Sequence, residues 1–370
     1  MRLLFVARAM HKMAGGLERM IVTIMNEMAR RGHQVALLSW DRDDAEAFYP
    51  MASEIGWYKL HTGDAARKAN VLTRLQRVPK IRRSVSQFSP DVIICFQGGP
   101  FRAMLSYTAG MGIPLIAAER TAPTLYEHAN SAWSKRKEHF SFRFAKRITV
   151  QFDRYRDYYP KALHKLIVET PNPVSEAHEF AVAGAANRQG RFTLLSVGRL
   201  SYQKNYHALL QAFSIVADRF VDWDLKIVGE GEDRMSLQEM IDSSSNLRGR
   251  VFLTGTTSDV SSVYVSSNLF CLPSRWEGFP NALAEALAHG LPSVGYGDCA
   301  GVRDLIQHGG TGLLAEGNGS PDNLAKALGD LMADHARRAE MGGNARLSMR
   351  QYLPSACFDR WENVLKHAAS

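Results

Sequence analysis

A chain of 370 residues, 45% apolar and 22% charged, is too long for one ordinary hydrophobic core and suits two soluble domains. No stretch has the apolar length of a membrane span, and the opening MRLLFVARAM is broken by Arg8 and too short for a signal peptide. Its four cysteines, Cys95, Cys271, Cys299 and Cys357, lack C-x-x-C spacing, which argues against a zinc ribbon or disulfide framework and fits a reducing cytoplasm. The basic excess is confined to the first half: residues 1–174 hold 27 Lys and Arg against 15 Asp and Glu, leaving 18 against 22 of the overall 45 and 37 for the remainder. Net charges of +12 and −4 follow from these counts, so an acidic partner is expected for the first half only.

In chain order, Leu3–Ala7 reads as a buried parallel strand by its unbroken apolarity. A loop through Gly15 and Gly16 leads to a helix with an apolar stripe of Met20, Ile21, Ile24, Met25 and Met28, capped by Gly32 before a strand over 34–39. Strand, glycine loop, helix and strand are a Rossmann opening, although the glycines do not form G-x-G-x-x-G. Further strands are expected over 91–96, 113–118 and 147–150. Glu119 and Arg120 follow the second of these, at the mouth of a parallel sheet, and read either as a functional pair or as a surface loop.

Two stretches interleave cations with apolar residues. Residues 67–83 carry Arg67, Lys68, Arg74, Arg77, Lys80, Arg82 and Arg83 among Val71, Leu72, Leu75, Val78 and Ile81; residues 133–147 carry Trp133, Phe140, Phe142 and Phe144 among six cations. Both are expected as amphipathic basic helices, the first bent or broken before Pro79. Each is either a solvated helix face or a surface for anionic lipid.

Pro171 and Pro173 stiffen a linker that closes the first domain at 172. After a polar stretch, the same order begins again: a strand over 191–197, a loop GRLSYQKN, a helix from Tyr206 to about Arg219, and a strand over 225–228. The chain therefore reads as two Rossmann-like α/β halves, 1–172 and 173–352, with a last helix of about 353–370. Arg199 and Lys204 lie in the loop after the second half's first strand, where a forked and a point cation suit a pyrophosphate.

The stretch PSRWEGFPNALAEALAHGLP, from Pro273 to Pro292, follows a buried strand at 269–272. Gly278 and Pro280 punctuate a turn, with Pro280 expected at the first helical position; Ala282, Leu283, Ala286 and Leu287 recur at helical spacing, and Gly290 and Pro292 end the helix. A strand–turn–helix presents free amides and a positive helix end to an anion. Glu277 and Glu285, eight positions apart beside such a site, suit the hydroxyl groups of a ribose and a sugar rather than a phosphate.

This stretch resembles the EX7E motif of the retaining glycosyltransferases of family four, which have the two-domain GT-B fold. The likeness extends along the chain: AGGLER to the family's glycine turn, N-P-V at 172–174 to its hinge, and GRL…QKN to its donor-phosphate motif. Val228–Glu232, Val251–Gly255 and Gly301–Ile306 match further landmarks, with Asp304 where relatives often have glutamate. The resemblance implies two domains facing across a cleft, with the last helix crossing back to the first. It also implies transfer of a hexose or N-acetylhexosamine from a nucleotide-diphosphate sugar to an acceptor held by the first domain, and the basic charge of that domain points to a lipid-linked saccharide or glycan as this acceptor.

On this reading the catalytic residues are Glu277, Arg199 and Lys204. The donor lies against Gly15, Gly16, Arg199, Lys204, Gly229, Gly255, Gly278, Phe279, Pro280, Asn281 and Glu285. Glu119 and Arg120 fall on the acceptor side, where many relatives carry a histidine, and EGFPN leans toward a UDP-sugar over a GDP-sugar.

No metal or other cofactor is expected. Asp41-Arg42-Asp43 and Asp222-Trp223-Asp224 satisfy D-x-D, but the first lies in an acidic loop and the second just before a strand, neither with the donor loops. A nucleic-acid partner is disfavoured, since basic and aromatic residues interleave only near 133–147. An epimerase or phosphorylase with the same diphosphate grip, or a non-catalytic saccharide-binding subunit, are the rival readings. An anionic membrane surface at the cytoplasmic face is the expected partner of the basic half.

Overall fold

The computed structural model describes residues 1–63, 69–125 and 132–370. Its chain forms two compact units, Met1–Asn172 with Ser355–Ser370, and Pro173–Pro354.

Unit 1 contains strands β1 (Arg2–Ala7), β2 (Gln34–Ser39), β3 (Gly56–Lys59), β4 (Val92–Phe96), β5 (Leu115–Ala118), β6 (Arg147–Val150) and β7 (Ile167–Glu169). They form a sheet in the order β3-β2-β1-β4-β5-β6-β7, and every pairing is parallel. Between them run helices α1 (Gly16–Arg30), α2 (Val71–Phe88), α3 (Gly98–Tyr107) and α4 (Ala132–Ser141). Parallel strands covered on both faces must be apolar throughout, and Leu3, Leu4, Phe5 and Val6 are fully buried. The stripe of α1 expected from its periodicity, Met20, Ile21, Ile24, Met25 and Met28, packs on that sheet together with Trp361 and Leu365. These last two belong to the final helix, Pro354–Ala369, which thus completes the core of unit 1 although it lies at the far end of the chain.

Unit 2 repeats the plan with β8 (Phe192–Val197), β9 (Trp223–Val228), β10 (Val251–Leu253), β11 (Leu269–Leu272), β12 (Ser293–Tyr296) and β13 (Gly312–Ala315), in the order β10-β9-β8-β11-β12-β13. Its helices are α5 (Tyr206–Ala217), α6 (Arg234–Ser243), α7 (Val260–Val265), α8 (Asn281–Ala288), α9 (Ala300–Leu305), α10 (Pro321–Ala333) and α11 (His335–Ser348); the final helix is α12. In each sheet the strand order reverses beside the first strand, between β1 and β4 and between β8 and β11. Ligands of open parallel sheets bind outside the carboxyl ends of the strands at such a reversal.

Several expectations need correction. Helix α2 runs unbroken through Pro79, which sits inside it. Arg67 and Lys68 lie outside the described residues. Of the other cations in this stretch, Arg77 is buried and donates from Nη2 to the Thr62 carbonyl at 2.8 Å, while Lys80 donates to the Leu60 carbonyl at 3.1 Å. Arg82 donates to the carbonyls of Tyr107 and Ala109. Their long stems reach carbonyls that end loops, so these three are partly structural. The second basic stretch is not one helix: α4 stops at Ser141, a 3₁₀ turn covers Phe142–Phe144, and Arg147 opens β6. Buried Phe142, packed edge-on against Phe101, anchors that turn. Asp224 does not precede a strand but lies within β9, paired with Arg191.

Candidate active site

Of the residues expected on the donor side, those in the loops after β8 and β11 lie at the reversal between these two strands. The loop after β8 carries Arg199 to Asn205 and the loop after β11 carries Pro273 to Pro280. Four hydrogen bonds lace the two loops together. Arg275 N–H donates to the Gln203 carbonyl and Gln203 Nε2 to the Trp276 carbonyl, both at 2.8 Å. Arg275 Nη2 donates to Asn205 Oδ1 at 2.8 Å, and Lys204 Nζ donates to Glu277 Oε1 at 2.6 Å. Ser274 Oγ donates to the same Glu277 oxygen at 2.7 Å. Glu277 is only 6% exposed, so its carboxylate is held in one orientation by a cation and a hydroxyl before any ligand arrives.

Helix α8 starts immediately beyond. Pro280 is its N-cap rather than its first residue. At the other end Gly290, at φ 79°, accepts the left-handed conformation that lets Leu291 N–H close on the Ala286 carbonyl. Glu285 projects one turn into α8, where the Tyr264 hydroxyl from α7 donates to its Oε2 at 3.1 Å. The phenyl ring of Phe279 is buried and packs edge-on against Tyr352, so this residue serves as packing as well as turn.

Arg199 is not brought into the Lys204–Glu277 cluster. Its guanidinium is exposed and donates from Nε to Glu232 Oε2 at 3.1 Å. Gly229 and Gly255 act through backbone approach. Gly229 N–H donates to the Gly255 carbonyl at 2.8 Å, and a Cβ on Gly229 would stand 2.0 Å from the Gly198 carbonyl oxygen. These glycines let the ends of β8, β9 and β10 close on one another, which shapes the loop bearing Arg199.

In unit 1, Gly15 is the N-cap of α1 and Gly16 its first residue. A Cβ on Gly15 would fall 2.1 Å from Glu18 Oε2, so glycine makes room for a glutamate folded back over the helix end. Burial raises the Glu18 carboxyl above the usual carboxylate range. Glu119 and Arg120 are not a surface loop. Arg120 donates to the carbonyl and hydroxyl of Thr170 and to Thr149 Oγ1, and its guanidinium lies 4.7 Å over the Trp361 ring. That cation therefore ties β5, β6 and the end of β7 to α12. Glu119 is 7% exposed and leaves Oε1 without a hydrogen-bond partner. Burial, then the nearby Glu138 carboxylate, pushes its pKa up to about 8.

Asp41, Asp43 and Asp224 of the two D-x-D stretches have other partners. Asp41 accepts from the amides of Met10 and His11, fixing the loop after β1, and Asp43 pairs with His61 at 2.5 Å. Among the described residues no group of three or more His, Cys, Asp or Glu could hold a metal ion.

Sequence reasoning did not reach Ser274, Asn205, Gln203 or Tyr264. Ser274 and Gln203 lie inside the motifs and could have been flagged by position. Tyr264 has no local signal, because only the packing of α7 against α8 puts its hydroxyl at Glu285.

The family model for "Glycosyl transferases group 1" matches residues 179–348, and that for "Glycosyltransferase Family 4" matches residues 14–174. The chain belongs to the family 4 glycosyltransferases. This glycosyltransferase is 26% identical to an uncharacterized glycosyltransferase of Haemophilus influenzae, covering 95% of this chain and 96% of that one. It is 24% identical to an α-1,4-N-acetyl-D-galactosaminyltransferase of Campylobacter jejuni named for a diphosphoundecaprenol-linked acceptor, over 95% of each. Among solved structures, sucrose-phosphate synthase of Thermosynechococcus elongatus superposes with TM-score 0.81 at 16% identity, covering 98% of each chain. The Anabaena HepE protein in complex with UDP-glucose gives TM-score 0.75 at 17% identity, covering 98% of this chain and 99% of that one. At these identities the two structures establish the GT-B fold.

Proposed function

We propose that this glycosyltransferase moves a hexose or N-acetylhexosamine, with retention and without a metal ion, from a UDP-sugar to a lipid-linked saccharide held by unit 1. The observation that carries the reading is the Ser274–Glu277–Lys204 cluster at the start of α8. Transfer of a glycosyl group builds negative charge on the departing diphosphate and positive charge on the sugar. Lys204, Arg199 and the amides at the start of α8 stabilise the first. Glu277 stabilises the second and orients the sugar hydroxyls. Glu285, steadied by Tyr264, accepts hydrogen bonds from the ribose.

Support for the donor comes from the Anabaena neighbour, solved with UDP-glucose, and for the acceptor from the Campylobacter relative, named for a lipid diphosphate. The +12 charge on residues 1–174 suits such an acceptor and an anionic membrane surface. No helix among the described residues is long and apolar enough to cross a membrane, so a peripheral association fits.

The test is isothermal titration of UDP- and GDP-sugars, followed by transfer assays with and without EDTA. Tighter binding of a UDP-sugar and transfer that survives chelation are expected. Abolition by EDTA with rescue by magnesium or manganese would overturn the metal-independent part. Donor epimerisation or phosphorolysis without transfer would overturn the transfer itself.

A further inference from the structure

Strands β2, β1, β4 and β5 of unit 1 end at Ser39, Ala7, Phe96 and Ala118. Ala7 pairs with Ser39, Val6 with Cys95, and Phe96 with Ala118. The residues one step beyond, Trp40, Arg8, Gln97 and Glu119, therefore form a row across the carboxyl edge of the sheet. A cavity of 1070 Å³ opens over the first three of them, with His11 and Arg42 also lining it.

Gln97 is anomalous in this row. Its backbone lies at φ 71° and ψ 154°, a region populated almost only by glycine because a Cβ is crowded there. Glycine is the ordinary solution, and the next two residues are Gly98 and Gly99, yet glutamine occupies the crowded position. The backbone is held from both sides: its N–H donates to the Ala118 carbonyl at 2.9 Å, and its carbonyl accepts from Phe101 N–H at the start of α3. The side chain is half-buried, and its carboxamide makes no hydrogen bond with any described residue. Strain kept at a cavity wall, under a side chain with no internal partner, is the pattern of a ligand-reading position.

A carboxamide offers one acceptor oxygen and two N–H donors, which match a sugar hydroxyl or an acetamido group. We infer that Gln97 is a specificity-determining residue for the acceptor, its carboxamide hydrogen-bonding a hydroxyl or acetamido group of the acceptor's terminal sugar. The inference rests on the transferase reading above and adds a residue outside every motif that carries that reading.

The experiment compares wild type, Gln97→Gly and Gln97→Ala with a UDP-sugar donor and a panel of octyl glycosides of hexoses and N-acetylhexosamines. The Gly variant relieves the backbone crowding and should raise the melting temperature by about 2–6 °C. For the acceptor that wild type prefers, KM should rise roughly tenfold or more in both variants. Donor KM should stay within about twofold, and the preference among panel acceptors should flatten. An unchanged acceptor KM and preference in Gln97→Gly would overturn the inference, as would an equal rise in donor KM. Failure of wild type to glycosylate any panel member or a lipid-diphosphate saccharide would instead overturn the transferase reading.

Discussion

Lys204 and Glu277, 73 positions apart in the chain, meet at 2.6 Å with 18% and 7% of their side chains exposed. This contact holds the loop after β8 to the loop after β11. On the proposed function the lysine has a second role, so removing it would take away a contact to the leaving diphosphate as well as leave Glu277 buried without its cation. Lys204→Ala should therefore lower turnover by about 10²–10³-fold. The same change should destabilise the protein by about 2–4 kcal/mol, which Glu277→Gln in the same chain should partly restore. Arg199 offers the contrast. It is exposed, as is its partner Glu232, so the pair adds little stability and Arg199→Ala should cost activity with little change in melting temperature. A drop in melting temperature as large as that of Lys204→Ala would contradict the assignment, and denaturant titration beside steady-state kinetics measures both.

On the proposed function, the two glutamates of the motif divide their work according to their partners. Glu285 is met by the Tyr264 hydroxyl, and Glu277 by Lys204 and Ser274. Glu285→Gln should weaken binding of the free nucleotide by roughly tenfold, and Tyr264→Phe should do so by a few-fold through loss of orientation. Glu277→Gln should leave nucleotide affinity within about twofold while depressing turnover of the nucleotide sugar. Titration calorimetry with UDP distinguishes them, and equal losses of affinity in Glu285→Gln and Glu277→Gln would remove the distinction.

Glu119 makes stability depend on pH. Its carboxyl is raised first by burial and then by Glu138, against the lowering effects of Arg120, Arg102 and the Gly98 amide. The folded chain thus keeps a proton that the unfolded chain releases near its ordinary value of 4.5. The stabilisation is complete below that value and is lost as pH rises toward about 8. Melting temperature should therefore fall by a few degrees more in wild type than in Glu119→Gln between pH 5 and pH 8, roughly. Parallel curves for the two proteins would show that Glu119 does not hold the proton.

What could be read in advance followed local chemistry. The strand–turn–helix at 269–292, the repeated Rossmann plan and the apolar stripe of α1 follow from periodicity and turn residues, which act within one segment. Residues whose role depends on distant partners were not legible. Arg77 reads as one more cation of a basic face, and only the fold puts it under the Thr62 carbonyl. Arg120 reads as a loop residue until Trp361, 241 positions on, supplies the ring beneath it. The strain at Gln97 leaves no trace in composition, because glutamine is not a residue that announces a positive φ.

The same distinction refines the membrane expectation. Three cations of 67–83 hold loop carbonyls, so a variant that removes Arg77 or Arg82 would confound binding with folding. The surface left for a bilayer is narrower. Val71, Leu72 and Leu75 are 72%, 64% and 62% exposed on the first two turns of α2, beside Arg74. Trp133, Phe140 and Phe144 are exposed on α4 and the turn after it, with Lys137 Nζ 3.2 Å over the Trp133 ring. Each patch pairs apolar side chains able to enter a headgroup layer with cations worth roughly 1 kcal/mol apiece near an anionic leaflet. Flotation with vesicles of phosphatidylglycerol and phosphatidylethanolamine should bring the protein up at low salt and release it as ionic strength shortens the Debye length. Changing Val71, Leu72 and Leu75 to Ser should lower the floated fraction severalfold, as should changing Trp133, Phe140 and Phe144, with melting temperature and donor binding held. Flotation that ignores lipid charge and both sets of substitutions would confine the basic half to holding the acceptor's own diphosphate.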